Sequence, residues 1–282
     1  MKFCLVNGIE QNHIDIENRG IAYGDGLFTT AKVLNGNIQH LTAHMDRLTL
    51  GCQKLGITSP CFDALKEQVT LIAKKYSLAV LKVMIVASSG GRGYARSTSN
   101  SHDLIIMVHD CPTHYDELAS AGTKVGISKQ QIGVNPMLGG LKHLNRLEQV
   151  LLKQELSTRD EDDLLVANIH DEVIEAISAN VFFFLKGKLY TPDVSQSGVN
   201  GIMRQAILKH YPDTIVKTFT SNELAKVEAM FVCNCVMGIM PIAHFNGRDL
   251  PIELPLKLRN DFNYKTGNKT GNEANNGTIK YE

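Results

Sequence analysis

Apolar residues in this chain fall into short runs broken by Asn-Gly pairs and glycine-rich stretches, with a few longer segments at helical spacing. Phe3–Val6 reads as a strand, and Asn7-Gly8 after it as a hairpin turn. The pattern repeats with a strand at 27–34, a turn at Asn35-Gly36 and a return strand at 37–40. A helix opening at Thr42 or Ala43 carries Leu48 and Cys52 and stops near Gly56, and 62–76 reads as a second amphipathic helix. Residues 80–88 and 104–109 are strands around a polar, glycine-rich excursion at 89–103.

Beyond Pro112 the pattern starts afresh. Residues 112–121 read as a linker, 124–128 as a strand and 134–140 as a loop containing Asn135-Pro136. An amphipathic helix runs from just after Lys142 through Leu147, Val150, Leu151 and Leu152 to Leu156. Strands are expected at 163–168, Val173–Ala176 and Asn180–Leu185, and Asn200-Gly201 leads into a helix, Ile202–His210. The apolar run 229–242 reads as buried strand. From Asp249 the pattern loses regularity, and 263–282, rich in Asn, Gly, Lys and Thr, reads as a disordered tail. The partition expected is a smaller N-terminal domain at 1–112, a linker at 113–122 and a larger C-terminal domain at 123–262, in an α+β chain.

Composition excludes several classes. The 29 basic and 29 acidic residues leave no net charge, so no broad basic field is available for nucleic acid or an anionic membrane surface. No segment has the composition of a secretory leader or the length of a membrane span, and a cytoplasmic location is expected. The six cysteines match no zinc spacing, and Cys233 and Cys235, within the apolar run, read as buried thiols rather than a metal pair.

The candidate chemistry starts at Gly139-Gly140-Leu141-Lys142-His143-Leu144-Asn145-Arg146. Lys142 sits between leucines where a turn is expected to meet a helix. Desolvation there would disfavour its ammonium and leave a nucleophilic amine able to form a Schiff base. Taken alone, such a lysine is more often a surface residue at a helix start. Other polar features also stand beside apolar strands: Tyr23-Gly24-Asp25-Gly26, His44-Met45-Asp46-Arg47, Gly90-Gly91-Arg92-Gly93-Tyr94, Glu175 to Asn180, and Gly198-Val199-Asn200-Gly201-Ile202-Met203-Arg204. Each has a bland reading as a turn or a solvated charge; their joint order is the informative part.

That order resembles the fold-type-IV pyridoxal-phosphate (PLP) enzymes, a group of branched-chain aminotransferases, D-amino-acid aminotransferases and 4-amino-4-deoxychorismate lyases. It is most similar to the lyases, in Gly-Asp-Gly-Leu-Phe-Thr-Thr at 24–30, Gly-Gly-Arg-Gly-Tyr at 90–94, Lys-His-Leu-Asn-Arg-Leu-Glu-Gln-Val at 142–150 and Gly-Val-Asn-Gly-Ile-Met-Arg at 198–204. The resemblance covers about residues 1–245. It implies a two-domain D-amino-acid-aminotransferase-like fold with the cofactor in the cleft between domains, and a homodimer. By the same resemblance Lys142 carries PLP as a Schiff base and Glu175 pairs with the pyridine nitrogen. Arg47 and the backbone amides of Ile202 and Met203 bind the phosphate, with Asn180 and Asn234 as further cofactor contacts. Arg92 and Tyr94, on a loop expected near the site, face a substrate with two carboxylates. Thr29 and Thr30 position substrate or a water near the cofactor.

The reaction implied is elimination of pyruvate from 4-amino-4-deoxychorismate to give 4-aminobenzoate, with Lys142 moving the proton in both directions and no metal or amino acceptor required. An aminotransferase acting on D- or branched-chain amino acids would share Lys142, Glu175 and Arg47 but need a keto-acid acceptor. A non-catalytic PLP-binding module would not need the lysine.

Overall fold

The computed structural model describes residues 1–98 and 101–266, which form two β-sheets joined by a short helix and by one crossing strap. The first sheet is wholly antiparallel. Its strands are β1 (Phe3–Val6), β2 (Ile9–Glu10), β3 (Gly26–Leu34), β4 (Asn37–Ile38), β5 (Leu78–Ala87) and β6 (His102–His109), in the order β2-β1-β6-β5-β3-β4. A short helix, α1 (Arg19–Tyr23), precedes β3. Between β4 and β5 come α2 (Leu41–Leu55) and α3 (Phe62–Ala73). They cover one face of the sheet, burying Leu48, Cys52, Leu65 and Val69 against Leu27, Val33, Val83 and Ile85. Strand alternation then turns Phe28, Thr30 and Lys82 to the opposite face.

Residues expected to be a plain linker contain a helix, α4 (Tyr115–Ala121). Asp116 and Glu117 in its first turn favour the positive end of the helix, and Ala119 is buried. The second sheet follows. Its strands are β7 (Thr123–Ile127), β8 (Asp163–Ala167), β9 (Val173–Ala176), β10 (Asn180–Leu185), β11 (Lys188–Thr191), β12 (Ile215–Val216), β13 (Ala229–Asn234), β14 (Gly238–Phe245) and β15 (Arg248–Asp249). The order is β12-β11-β10-β13-β14-β7-β8-β9, with β15 added beside β14. The single strand expected over 229–242 is therefore two, because Asn234 folds the chain back: its side-chain oxygen accepts from the amides of Val236 and Met237.

Helix α5 (Leu147–Leu156) lies between β7 and β8, and α6 (Ile202–His210) follows β11. A final helix, α7 (Glu253–Thr266), occupies a stretch that the sequence pattern leaves irregular. Pro255 falls in its first turn, where a missing N–H costs little, and Leu258 and Phe262, one turn apart, bury against α6 and the stacked Phe182–Phe231 pair. The expectation of disorder from residue 263 is thus corrected as far as Thr266; residues 267–282 lie outside the described residues. Among the described residues no helix is long and apolar enough to cross a membrane.

Candidate active site

The two sheets face each other across a cleft of about 400 Å³. Its lining draws Phe28 and Thr30 from β3, Arg47 from α2, Glu175 from β9, Asn180 from β10, Ile202 and Met203 from α6, and Lys142 with Arg146 from the strap between Gly139 and α5.

The strap is pinned on both sides. Gly140 pairs with Val199 by hydrogen bonds to Gly198 and from Asn200, and His143 pairs with Leu27. Lys142 O accepts from Phe28 N at 3.0 Å, and Leu144 N donates to Gly26 O at 2.9 Å. Gly140 has φ +76°, and a Cβ on Gly139 would stand 2.2 Å from Ser195 O, so both glycines are needed for the crossing. Lys142 therefore sits five residues before α5, in extended strap rather than at a helix start. Its Nζ stands 4.7 Å from the Phe28 ring centroid. Burial lowers its pKa, and the nearby Arg47 and Arg146 lower it further, while Glu175 opposes.

Glu175 is buried, and its Oε2 accepts from Val199 N at 2.9 Å and from Asn180 Nδ2 at 3.4 Å. Burial raises its pKa; the Val199 amide, Lys142 and Arg146 pull the other way. Asn180 Nδ2 also donates to Val199 O at 2.8 Å, and its Oδ1 accepts from Gly201 N at 3.1 Å. The Asn180 amide thus fastens the start of α6 to β10. Helix α6 begins with no side-chain cap, leaving the amides of Ile202 and Met203 at its opening end. Arg47 reaches the same place, donating Nη2 to Asn200 O at 2.7 Å. Among the described residues it has no carboxylate partner. A largely buried guanidinium beside an uncapped helix N-terminus makes an anion cup.

Several expected site residues stand elsewhere. Thr29 points away from the cleft; it is buried beneath α2, with Oγ1 2.5 Å from His44 Nδ1. Successive side chains of a strand take opposite faces, so only Thr30 of the pair lines the cleft. Asn234 borders the cleft, but Nδ2 donates to Ser178 O and Oδ1 caps its own turn, so its amide is already occupied. Arg92 and Tyr94 are exposed on a loop that does not line this cleft. Arg19 holds that loop by donating to the carbonyls of Gly93, Tyr94 and Ala95, and is itself paired, with Arg96, to Asp25. Residues 99–100 lie outside the described residues.

The cleft also contains groups that sequence reasoning gave no role. Arg146 is the foremost and was visible only as part of its motif. Gln149 lines the cleft with a buried Oε1 that has no hydrogen-bond partner among the described residues. Lys82 does not itself line the cleft; it pairs across the strands with Thr30 and holds its Nζ 4.9 Å from the Phe28 ring, and burial lowers its pKa. Cys235 sits in the β13–β14 turn at the cleft wall, with burial pushing its thiol up. Among the described residues no cluster of three metal-ligating side chains occurs.

The sequence profile of amino-transferase class IV matches residues 26–245, most of the chain. The chain belongs to this family. Among curated proteins, the aminodeoxychorismate lyase of Vibrio harveyi is 31% identical over 255 residues, 89% of this class IV chain and 94% of that protein. Among solved structures, the 4-amino-4-deoxychorismate lyase from Pseudomonas aeruginosa superposes with a TM-score of 0.88 at 30% identity, covering 93% of this chain and 98% of that one. A branched-chain aminotransferase from Thermoproteus uzoniensis, at 18% identity with a TM-score of 0.84 and 95% of each chain covered, shares the fold.

Proposed function

We propose that this class IV protein is a pyridoxal-phosphate-dependent 4-amino-4-deoxychorismate lyase. It would release pyruvate and form 4-aminobenzoate, a precursor for folate synthesis. The observation that carries this reading is the convergence of Lys142, Glu175 and Arg47 in one cleft, in a chain similar over nearly its whole length to two such lyases. The donor set fits the cofactor. The anion cup of Arg47 and the Ile202 and Met203 amides suits a phosphate, Glu175 suits a protonated ring nitrogen, and Lys142 suits an aldehyde. Asn180 holds Glu175 and the start of α6 in mutual register.

When bound, pyridoxal phosphate supplies an aldehyde for a Schiff base and a ring that takes up the electrons left by a departing proton. The protein's part is binding and proton transfer. Lys142 Nζ, free of its ammonium proton, takes the proton from the substrate carbon bearing the amine. The ether bond on the neighbouring carbon breaks, and Lys142 returns that proton to the methylene of the leaving enolpyruvate. Atoms balance without water or an acceptor: one substrate yields one pyruvate and one 4-aminobenzoate. Phe28, Ile177, Ala179 and Val199 wall the cleft and keep water from the carbon that loses its proton. Thr30, on the facing sheet, offers a hydroxyl to a substrate carboxylate.

The same reading includes a homodimer. Leu147 and Val150 on α5 are 71% and 60% exposed, with Leu151 and Met137 also outside the core, and a second copy of this chain is the natural cover for that apolar face. Arg92 and Tyr94, which do not reach their own cleft, would then serve substrate only at a partner's cleft. A reducing cytoplasmic setting agrees with six unpaired cysteines.

The test is pyruvate release from 4-amino-4-deoxychorismate with no amino acceptor present, for wild type and Lys142→Ala. Pyruvate with 4-aminobenzoate from wild type alone supports the lyase. A yellow wild type that makes neither, but turns over D- or branched-chain amino acids with a keto acid, replaces it with an aminotransferase.

A further inference from the structure

Arg146 makes an unusual pair of contacts. Its Nε donates to His143 O at 2.9 Å and its Nη2 to Leu141 O at 2.8 Å. These are the carbonyls immediately before and after Lys142. The carbonyl of Lys142 itself is taken by Phe28 N. Three consecutive carbonyls of the strap are thus fixed, two of them by one planar guanidinium whose donors have a fixed spacing. The side chain is half-buried, lines the cleft, and has no carboxylate partner among the described residues. Glu148, two residues on, accepts from Gly133 N and acts on Arg146 only through its charge.

We propose that Arg146 is the positioning residue of Lys142, clipping the strap by both carbonyls that flank the lysine and standing as a fixed cation beside its amine. The inference rests on the reading of Lys142 as the Schiff-base lysine. Two effects follow from one side chain. The clip stops the strap from rotating, so the amine keeps one aim into the cleft. The charge disfavours a second positive charge on Lys142, in company with Arg47, and together these outweigh the opposing pull of Glu175. Arg47 belongs to the anion cup, and a bound phosphate would neutralise much of its influence. Among the described residues the hydrogen bonds of Arg146 go to backbone carbonyls, so no carboxylate is bonded to it, and its charge acts on the lysine within reach of Glu175 and Glu148.

The two effects separate in variants. Arg146→Lys keeps the charge but cannot span both carbonyls; Arg146→Gln loses the charge. The full-length protein is freed of cofactor and mixed with pyridoxal 5′-phosphate, and the rate at which the visible Schiff-base absorbance appears is followed across pH. Below the amine pKa, each unit of increase in that pKa cuts the reactive fraction about tenfold. The Arg146→Gln profile should move to higher pH, with capture at neutral pH slower by roughly threefold to tenfold. Arg146→Lys should keep the wild-type midpoint and lose rate at every pH. Superimposable profiles for Gln and wild type would overturn the proposal. Competitive acetylation of Lys142, read by mass spectrometry across pH, reports the same midpoint without cofactor. A wild type that forms no Schiff base therefore defeats the lysine's cofactor role, while the acetylation midpoints of wild type and Arg146→Gln still judge Arg146: a shift to higher pH supports it and identical midpoints sink it.

Discussion

His44 lies between Thr29 and Arg47, and its burial ties the fold to acidity. Burial, then Arg47 and His40, push its imidazole down from 6.5 to about 3. Between those values the unfolded chain binds a proton that the folded chain refuses, so stability rises with pH across that window. The contribution is lost as pH falls from about 6.5 towards about 3, at no more than about 1.4 kcal/mol per pH unit. Thermal melting across that range should show a flatter curve for His44→Gln than for wild type; parallel curves would contradict this. Asp25 differs in mechanism but not in direction. Burial pushes its carboxyl up, yet Arg96 and Arg19 outweigh burial and hold it below the usual carboxylate range. Its contribution is full above the unfolded value and disappears as pH falls through the folded one. The melting difference between wild type and Asp25→Asn should therefore shrink in acid. Glu175→Gln keeps the bond from Val199 N and removes only the charge. It should lower kcat/KM by roughly a hundredfold, the scale of a lost charged contact of about 3 kcal/mol, with much less change in PLP affinity.

At the scale of elements, the opening of α6 shapes the proposed phosphate cup. A Cβ on Gly201 would stand 2.0 Å from Asn180 Oδ1, so Gly201→Ala must break the bond that fastens α6 to β10. Spectral titration should show PLP binding at least about tenfold weaker, with a stability loss of about 1–3 kcal/mol from the stranded amide. Unchanged affinity would remove Asn180 from the cofactor's support. Much of this was legible beforehand. Lys142, Arg47, Glu175 and the start of α6 stood in recognisable motifs, and the structure brings all four to one cleft. The split between Thr29 and Thr30 was also present in the sequence, since period-two alternation allows only one of two neighbours to face a given side. Other features were not. Helix α7 has a weak apolar stripe, and its two anchoring residues gain meaning only against Phe182 and Phe231. Helix α4 is held by Arg259 Nη1 donating to Ala119 O across 140 residues of chain, which no local pattern encodes. Arg146 acts on carbonyls, and backbone groups leave no trace in a sequence.

At the scale of the whole molecule, the exposed Leu147 and Val150 make the proposed dimer testable. If the proposed dimer holds, replacing Leu147 and Val150 together by Asp should shift the protein from dimer to monomer in sedimentation while leaving each chain folded, because both side chains lie outside the core. A wild type that sediments as a monomer at micromolar concentration would end the dimer reading. The strap has a mechanical consequence as well. It is laced to the second-sheet segment at Gly198, Val199 and Asn200 and to the first sheet at Gly26, Leu27 and Phe28, and the first-sheet lacing begins at the carbonyl of Lys142 itself. Any gaping of the cleft must stretch one lacing or slide the other, so the jaws and the reactive amine are geared together. The protein cannot open to admit a large molecule without also re-aiming its lysine. Deuterium uptake at the amides of Phe28, Leu144 and Asn200 would act as a gauge of that motion, rising together whenever the jaws part.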